Sequence, residues 1–472
     1  MSRVNTNVSS LIAQNILGRS NADLNTSLER LSTGLRINRG KDDPSGLIAS
    51  ENLRSDIVSV KAAISNSQRA NHVMATADSA LSEVSSLLND IRGLVTESAN
   101  DGGLTSEEVA ANQLQVDSSL EALNRIAQTT SFQGRKLLDG SLDFITTAGT
   151  NFGQINDLQI QQANLGATGQ MSLDISVTSA ATQAQVDVTS ISLGGVTHDV
   201  VFQLSGASGS DVFEFEAGAT IDEITTAVNL QSDATGVQAT ANGTTLELSS
   251  TAYGSDAYVD IQIIEENPVG TFTSVLGQKA RDAGTDVVAK VNGTSANGAG
   301  NTLGINSATL DLEIDVSAGF TGSIDFNIMG GGALFQLGPD VVANQQARIG
   351  IGSVNTGRLG GVSGKLFQLG SGKTSSLSVD PLSAANIVNE AIDQVTSLRG
   401  RLGAFQKTIV DTNIRSLNDA LVNLTDAESA IRDADFASET AALTRAQVLV
   451  QAGTSVLAIA NSNPQNVLSL LR

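Results

Sequence analysis

Apolar residues near the beginning of the chain recur at alternating intervals of three and four, the spacing of helices packed in coiled coils. The first run is formed by Leu24, Leu28, Leu31 and Leu35. A second run begins where Asp43 precedes Pro44, which is a helix-start signal, and ends at a turn signal over 100–103. A helix over 44–99 would be about 80 Å long, so it must lie against other long helices. The apolar stripe of this helix comprises Leu53, Ile57, Val60, Ile64, Leu81, Val84, Leu88, Ile91 and Val95.

The other end of the chain repeats this spacing, and we predict that helices from both ends pair in a long coiled-coil bundle. We interpret the stripes as seams that pack subunit against subunit, without chemistry of their own. The outermost segments have narrow stripes, so we expect them to be disordered in a monomer and to fold on association. The C-terminal seam positions are Val395, Leu398, Leu402, Phe405, Ile409, Leu449, Val456, Leu468 and Leu471.

Between the helical ends the apolar period shifts toward two, which is typical of half-buried antiparallel strands. Segments 142–146 and 158–161 are predicted to form a hairpin against the helices. Residues 173–345 are predicted to be a β-rich insertion with one short helix over 221–230. Within it, Asn242-Gly243 joins two strand patterns and is a strong hairpin signal. The predicted fold class is therefore α+β, with the insertion in one lobe or in two lobes split near 292–301.

Net charge is distributed unevenly along the 472 residues. The whole chain carries a formal charge of -22, of which residues 151–345 carry -19 and the two ends together carry -3. Nearly neutral ends can pack against many copies of themselves, whereas the acidic middle would repel its neighbours if it were crowded. The excess of acidic residues also argues against nucleic acid and anionic lipid surfaces as partners.

Residue patterns for catalysis, cofactors or metal binding are missing from the sequence. The chain has no Cys and only two His, which excludes disulfides and thiol chemistry. The run from Gly370 to Thr374 resembles the end of a phosphate-binding loop, but Phe367 occupies the position of a required Gly. His198 and Asp199 are strand neighbours and would point to opposite faces. We predict that the protein is not an enzyme and has no cofactor and no metal.

The N-terminus lacks the unbroken apolar core of a secretory signal, and the most apolar stretch, 448–460, is too short and too polar to span a membrane. We therefore expect no membrane insertion. The chain either stays in the cell or leaves it by a route that cleaves nothing.

Two sequence motifs resemble those of bacterial flagellins. The first runs from Leu31-Ser32-Thr33-Gly34-Leu35-Arg36-Ile37-Asn38 through Lys41-Asp42-Asp43 to Gly46-Leu47. The second combines Arg445-Ala446-Gln447, Gln451-Ala452-Gly453-Thr454-Ser455-Val456-Leu457 and Pro464-Gln465-Asn466-Val467-Leu468-Ser469-Leu470-Leu471. The resemblance covers roughly residues 1–140 and 383–472, and the stretch 221–263 with Tyr253-Gly254-Ser255-Asp256 is similar to a module found inside some flagellin insertions.

This resemblance implies a structural subunit of the extracellular flagellar filament, exported unfolded without a cleaved signal peptide. Its implied partners are many copies of itself, the hook-associated junction and cap proteins, and an export chaperone at the C-terminal helices. O-linked glycans on the outer domain are compatible with its Ser- and Thr-rich turns. Head-to-tail contacts that do not close a ring would give an open helical filament for swimming.

The domain organisation that we expect has five parts. These are an N-terminal inner helical segment (1–43), the N-terminal part of the bundle with the hairpin (44–172), the acidic insertion (173–345) with the flagellin module at about 218–264, the C-terminal part of the bundle (346–430) and a C-terminal inner helical segment (431–472).

One pair of positions departs from the family pattern. Flagellins detected by the flagellin-sensing Toll-like receptor have Arg four residues before Leu on the long helix and Glu on the next helix. Here those positions hold Asp90, before Leu94, and Gln115. The departure predicts weak activation of that receptor.

Two other functions compete with the filament subunit. One is a hook-filament junction protein with similar helical ends, and the close match from Gln451 to Leu471 favours the filament subunit over it. The other is a secreted enzyme on a helical stalk, which would need a reactive cluster in the insertion.

Overall fold

The computed structural model describes residues 6–100, 102–166, 168–188, 196–266, 272, 280–307 and 309–469, with side chains as far as residue 462. The chain divides into two compact units. Unit 1 comprises residues 1–69, 336–341 and 408–472, and unit 2 comprises residues 70–335 and 342–407. The α+β fold class is confirmed, with long helices at both chain ends and antiparallel strands between them.

The N-terminal helices begin and end at residues that satisfy their free backbone groups. Helix α1 (Val8–Thr33) starts at Asn7, whose side chain accepts from the Ser10 amide, and ends at Gly34 with φ +75°. Helix α2 (Pro44–Ser98) follows Asp43, which accepts from the Gly46 amide at 2.9 Å. Helix α3 (Ser106–Thr129) opens with a capping box between Thr105 and Glu108.

The C-terminal helices are α6 (Pro381–Ala404), α7 (Asp411–Arg432) and α8 (Phe436–Ser469). A π-helical segment, Phe405–Val410, lies between α6 and α7. A π turn adds one residue per turn and so shifts the face that later residues present. As a result Val410 is buried while Ile409 is only half-buried, and the stripe that the sequence continues from Phe405 to Ile409 is displaced by one residue.

Two sheets enclose the core of an inner lobe in unit 2. The five-stranded sheet has the order β14-β13-β5-β18-β3, and the four-stranded sheet has the order β15-β16-β17-β4. Alternating residues of both sheets supply one buried cluster, for example Ile175 paired with Ile324 and Leu312 paired with Ile160. The strands are β3 (Phe144–Ala148), β4 (Ile155–Ala163), β5 (Met171–Ser179), β13 (Val288–Val291), β14 (Thr294–Ser295), β15 (Asn297–Ala299), β16 (Thr302–Asn306), β17 (Leu310–Val316) and β18 (Gly322–Gly331).

A second core, also in unit 2, defines an outer lobe. Its sheets have the orders β6-β10-β9 and β12-β11-β7-β8. Helix α4 (Ile221–Leu230) adds Ile224 and Val228 to this core, and Phe202 stacks on Phe213 and Phe272 with ring centroids 5.7 and 5.4 Å apart. The strands are β6 (Gln185–Val188), β7 (Val200–Gly206), β8 (Ser210–Phe215), β9 (Val237–Asn242), β10 (Thr245–Ser250), β11 (Tyr258–Glu266) and β12 (Arg281–Ala283).

Smaller elements complete the described residues. β1 (Ser131–Phe132) and β2 (Arg135–Lys136) form a hairpin, β19 (Ala333–Gln336) pairs with β20 (Gln346–Ile349), and α5 (Ser232–Thr235) follows α4. Short 3₁₀ helices cover Phe152–Gln154, Ala343–Gln345 and Leu366–Leu369.

Two details differ from the sequence prediction. The segments predicted as one hairpin do not pair with each other, because β3 bonds to β18 and β4 bonds to β17, in different sheets. Both partners are more than 140 residues away in the chain, so local periodicity could not identify them. The lobes meet near 182 and 285 rather than at 292–301, a stretch that instead forms β14, β15 and their turns within the inner lobe.

Candidate assembly site at the two chain ends

Helices α1 and α8 lie antiparallel along their lengths in unit 1. The Asn7 side-chain amide donates to the Ala460 carbonyl at 2.7 Å, and Arg30 approaches Glu439 at 3.6 Å near the opposite end of the pair. Between these points Gly453 faces Leu17, where a Cβ atom would meet the Leu17 Cδ1 at 3.2 Å. The two helices therefore pack closely, because the side chains on their facing sides are small.

The buried positions of this pair are small or polar residues. On α1 they recur at intervals of three and seven, and half-buried Leu17, Leu24 and Leu31 lie between or beyond them. A stripe of this kind forms a narrow contact and covers little apolar area, so it stabilises the pair weakly. The buried residues are Ser10, Ala13, Ser20 and Ser27 on α1 and Ala446 and Ala460 on α8.

The N-terminal family motif crosses the segment that joins α7 to α8. The Arg36 amide donates to the Arg432 carbonyl at 2.7 Å, and the Ala434 amide donates to the Gly34 carbonyl at 2.9 Å. Leu35 and Asp433 form the antiparallel bridge between these bonds. The two ends of the chain are thus joined by backbone pairing as well as by helix packing.

Charged groups fix the turns around this crossing. Arg432 donates to Glu51 at 2.7 Å, and this hydrogen bond holds the pKa of the Glu51 carboxyl below its ordinary value. Asp42 accepts from the Arg39 amide at 2.8 Å and from the Asn38 amide at 3.2 Å, which lowers its pKa as well. Both carboxylates are ionised at neutral pH and act as structural acceptors.

Large apolar residues on the outward faces of α1 and α8 stay exposed in the single chain. On α8 the side chains of Leu449 and Val456 are 48% and 55% exposed. Over Phe436–Ser462 this helix is long and apolar enough to cross a membrane by length and composition alone. Others of these exposed residues are Val8, Leu11, Ile12 and Ile16 on α1 and Val448 and Ile459 on α8.

The predicted seam residues fall into three groups. In unit 1, Ile57, Val60 and Ile64 are buried, and Val60 and Ile64 pack in a cluster with Leu417, while Leu53 is half-buried. In unit 2 the following are fully or nearly fully buried, and they pack within one chain: Leu81, Val84, Leu88, Ile91, Val95, Val395, Leu398, Leu402 and Phe405.

The third group leaves apolar surface for a second subunit. Leu28 is 48% exposed, and Leu24, Leu31, Leu35 and Ile409 are half-buried. With Leu449 and Val456 they stay predictions as subunit contacts. The Leu468 side chain and Leu471 lie outside the described residues.

Sequence reasoning identified the small residues of α8 in this contact, Ala446, Gly453 and Ala460, but missed their counterparts on α1. Ser10, Ser20 and Ser27 are polar, so a search for large apolar residues passes over them. Ser67 was passed over in α2 for the same reason, although it is buried and accepts from Asn413 at 3.2 Å. The signal that could have found them is the recurrence of Ser and Ala at spacings of three and seven.

The candidate chemical motifs have structural neighbours instead of substrates. Ser371, in the run that resembles a phosphate-binding loop, donates from its amide to Asp117 at 2.9 Å, and that run follows a 3₁₀ helix rather than a strand. His72 is exposed and His198 is half-buried. Among the described residues, no group of three or more His, Cys, Asp or Glu side chains is arranged to hold a metal ion.

A chain whose ends pair through small residues and present apolar faces outward has the architecture of a subunit that completes its packing against further copies. The comparisons identify the class. The model of the bacterial flagellin N-terminal helical region matches residues 4–143, that of the bacterial flagellin C-terminal helical region matches 385–471, and that of the flagellin hook IN motif matches 201–252.

Relatives match over the whole chain. It is 30% identical to a flagellin of Salmonella typhimurium and 33% identical to the B-type flagellin of Pseudomonas aeruginosa, with 99% of each chain covered in both cases. The chain belongs to the bacterial flagellin family and is a structural subunit of the flagellar filament. Among solved structures, FliC from Burkholderia pseudomallei covers 71% of this chain and 98% of its own at 18% identity and a TM-score of 0.26, which is too low to carry an argument about the fold.

Proposed function

We propose that the α1–α8 pair is the part of the subunit through which it polymerises. The observation that carries this proposal is the exposed apolar surface on the outward faces of both helices. Eight large apolar side chains there are about half exposed or more: Val8, Leu11, Ile12, Ile16, Val448, Leu449, Val456 and Ile459. Burial against neighbouring copies would remove this surface from water and stabilise the filament by about 25 cal/mol per Å².

The same surface explains why α8 resembles a membrane span by composition. Inside a filament its outward apolar face would lie against other copies of α1 and α8, while Ala446, Gly453 and Ala460 allow close packing against α1 of the same chain. We assign residues 1–43 and 431–472 to the inner wall of the filament. The helical parts of 44–172 and 346–430 form the surrounding layer, and 173–345 faces the solvent, where its net charge of -18 keeps it hydrated.

Export and the accessory partners follow from this role. The chain would leave the cell unfolded and without cleavage of a signal peptide, and an export chaperone would cover α8 until then. The junction and cap proteins would contact the ends of the filament, and O-linked glycans would attach to the insertion. In this proposal the protein has no catalytic activity.

The test is seeded growth of filaments, observed by electron microscopy. Purified monomer is added to short seeds, beside a variant that lacks residues 1–20 and 453–472. We expect long filaments from the intact chain and none from the truncated one, whose circular dichroism should still show the sheets of unit 2. Growth of the truncated chain at the normal rate would reject the assignment of polymerisation to the terminal helices.

A further inference from the structure

Three stretches of chain meet where the outer lobe joins the inner lobe, and we call this region the neck. They are the entry at 181–184, the exit at 284–287 and a loop at 252–257 that returns from the outer lobe. The entry and exit pair at Thr182 and Thr285, whose hydroxyls lie 2.9 Å apart and whose backbone groups bond in both directions. Ala181 belongs to the inner core and Ala184 to the outer core, so the lobes are separated by only two residues.

The returning loop contains the Tyr253-Gly254-Ser255-Asp256 motif and reaches from the outer lobe to the inner lobe. The Gly254 amide donates to the Thr182 carbonyl at 3.1 Å. Tyr253 packs against the inner core, although its neighbours in the chain belong to the outer lobe. The motif therefore closes the neck from a third side.

Asp286 connects this loop to the inner lobe. Its carboxylate accepts from the Ser255 hydroxyl at 2.6 Å, from the Ser255 amide at 2.9 Å and from the Gly300 amide at 2.8 Å. Ser255 belongs to the outer-lobe loop, and Gly300 lies in the turn between β15 and β16 of the inner lobe. Hydrogen bonds to an ionised acceptor are about twice as strong as neutral ones, so this one side chain spans the joint with three of the stronger kind.

Close backbone approach at the same place leaves no room for side chains. A Cβ atom on Gly254, where φ is +108°, would lie 2.6 Å from the Gly300 Cα and from the Asp286 Oδ1. A Cβ atom on Gly284 would lie 2.4 Å from the Thr182 carbonyl oxygen. Such contacts cannot slide, because any displacement separates donor from acceptor or forces atoms together.

We propose that Asp286 is a positioning residue that locks the outer lobe to the inner lobe, so that every subunit carries its outer lobe in one fixed direction. The inference rests on the proposed filament function for its consequence, since repeated copies would then present a regular outer surface. The lock itself is a property of the single subunit, which allows the two to be tested separately.

The first test compares Asp286→Asn with a matched control, Asp256→Asn, which changes an exposed carboxylate in the same loop. Both variants lose one charge, but only the first places an amide opposite the Ser255 and Gly300 donors. In filaments studied by electron cryomicroscopy, we expect Asp286→Asn to keep the inner lobe sharp and to blur the outer lobe, while the control resembles the natural chain. Equal sharpness of the outer lobe in all three would overturn the proposal.

A measurement on monomers keeps the lock testable if filaments fail to form. Trypsin cleavage after Arg281, which lies on β12 beside the neck, should accelerate about tenfold in Asp286→Asn, in line with the loss of one charge-assisted hydrogen bond. The melting temperature of the outer lobe should stay unchanged, since Asp286 is not part of its apolar core. Faster cleavage of the variant, together with failure of the natural chain to extend filament seeds, would support the lock and reject the polymerisation proposal, and unchanged cleavage would reject the lock.

If Asp286→Asn does not fold, Ser255→Ala tests the lock instead. It removes only the hydroxyl donor and leaves both backbone donors, so we expect a smaller rise in cleavage and partial blurring of the outer lobe. Cleavage and density equal to those of the natural chain would overturn the proposal in this case too.

Discussion

The terminal helix pair and the outer lobe bury their residues in opposite ways. The outer lobe encloses Phe202, Leu204, Val228 and Leu246 almost completely within one chain. The α1–α8 pair buries Ser20, Ser27 and Ala446 and leaves its larger residues on the outside. A region of the first kind is stable alone, whereas a region of the second kind gains most of its apolar burial from other copies. The same chain thus contains one part complete in itself and one part completed by assembly.

The largest effect should come from placing a charge in the contact between α1 and α8. Ala446→Asp would bury a carboxylate without a partner where α8 meets α1, which separates the helices. We expect seeded elongation to slow by about a hundredfold or more, a change equivalent to about 3 kcal/mol. Thr444→Asp, on the exposed side of the same helix, serves as the control and should elongate normally. If both variants elongate equally, the contact between α1 and α8 is not needed for assembly.

A cavity in the interior of unit 2 should have the opposite effects: it should lower stability and leave filament elongation nearly unchanged. Leu88→Ala removes a fully buried side chain of α2 and should lower the free energy of unfolding of unit 2 by about 2–5 kcal/mol. Chemical denaturation followed by circular dichroism measures this, with Leu114→Ala at an exposed position of α3 in the same unit as control. Elongation well below the melting temperature should be close to normal. A strong elongation defect in a folded Leu88→Ala subunit would contradict the separation drawn between the two regions.

Two exposed positions on α2 and α3 sharpen the comparison further. They belong neither to the buried interior of unit 2 nor to the contact between α1 and α8. Asp90 and Gln115, the two positions predicted to depart from the pattern of receptor-detected flagellins, are exposed. We expect the double variant Asp90→Arg with Gln115→Glu to raise activation of the flagellin-sensing Toll-like receptor by about tenfold in a reporter-cell assay. The natural chain should activate it weakly. Activation equal to that of an enteric flagellin by the natural chain would reject the prediction.

The smallest effect concerns the cap of α4 in the outer lobe. The Thr220 amide and hydroxyl donate to Glu223, which holds the pKa of this carboxyl below its ordinary value of 4.5. Because the folded state lowers the pKa, ionised Glu223 contributes its full stabilisation when the pH is above the ordinary pKa. This contribution is lost as the pH falls through the lower pKa of the folded state. Glu223→Gln should therefore lower the melting temperature of the outer lobe slightly at pH 7. The difference should shrink as the pH falls below 4.5 and Glu223 becomes protonated, and a difference that stays constant in acid would exclude this explanation.

Most of the fold could be predicted because large apolar residues mark their elements. The helix over 44–98 shows an apolar period that is interrupted only around Ser67 and Asn71, the strand over 310–316 alternates regularly, and Asn242-Gly243 identifies its hairpin. Pairing between distant strands could not be predicted, since β3 and β4 find their partners far along the chain. The π turn was equally hidden, because Ile409 continues the helical stripe even though Val410 takes the buried place.

The assembly site could be predicted only by its position. The chain ends were expected to pair, but the residues at the contact are Ser, Ala and Gly, whose burial depends on a partner helix at close range. The exposed residues Leu449 and Val456 fit the same heptad spacing as the buried ones, so spacing alone does not separate the two faces. Three-dimensional packing was needed to tell which face meets α1.

The pairing of α1 with α8, helices from opposite ends of the chain, has a consequence for quality control during growth. A chain whose synthesis stops before Phe436 lacks α8, and one that loses its first turns lacks Asn7 and Ser10, whose side chains donate to α8. Neither fragment can form the complete contact between α1 and α8. If polymerisation needs this helix pair, as we propose, the filament would incorporate only subunits that keep both chain ends, and truncated chains would be excluded without a separate proofreading factor.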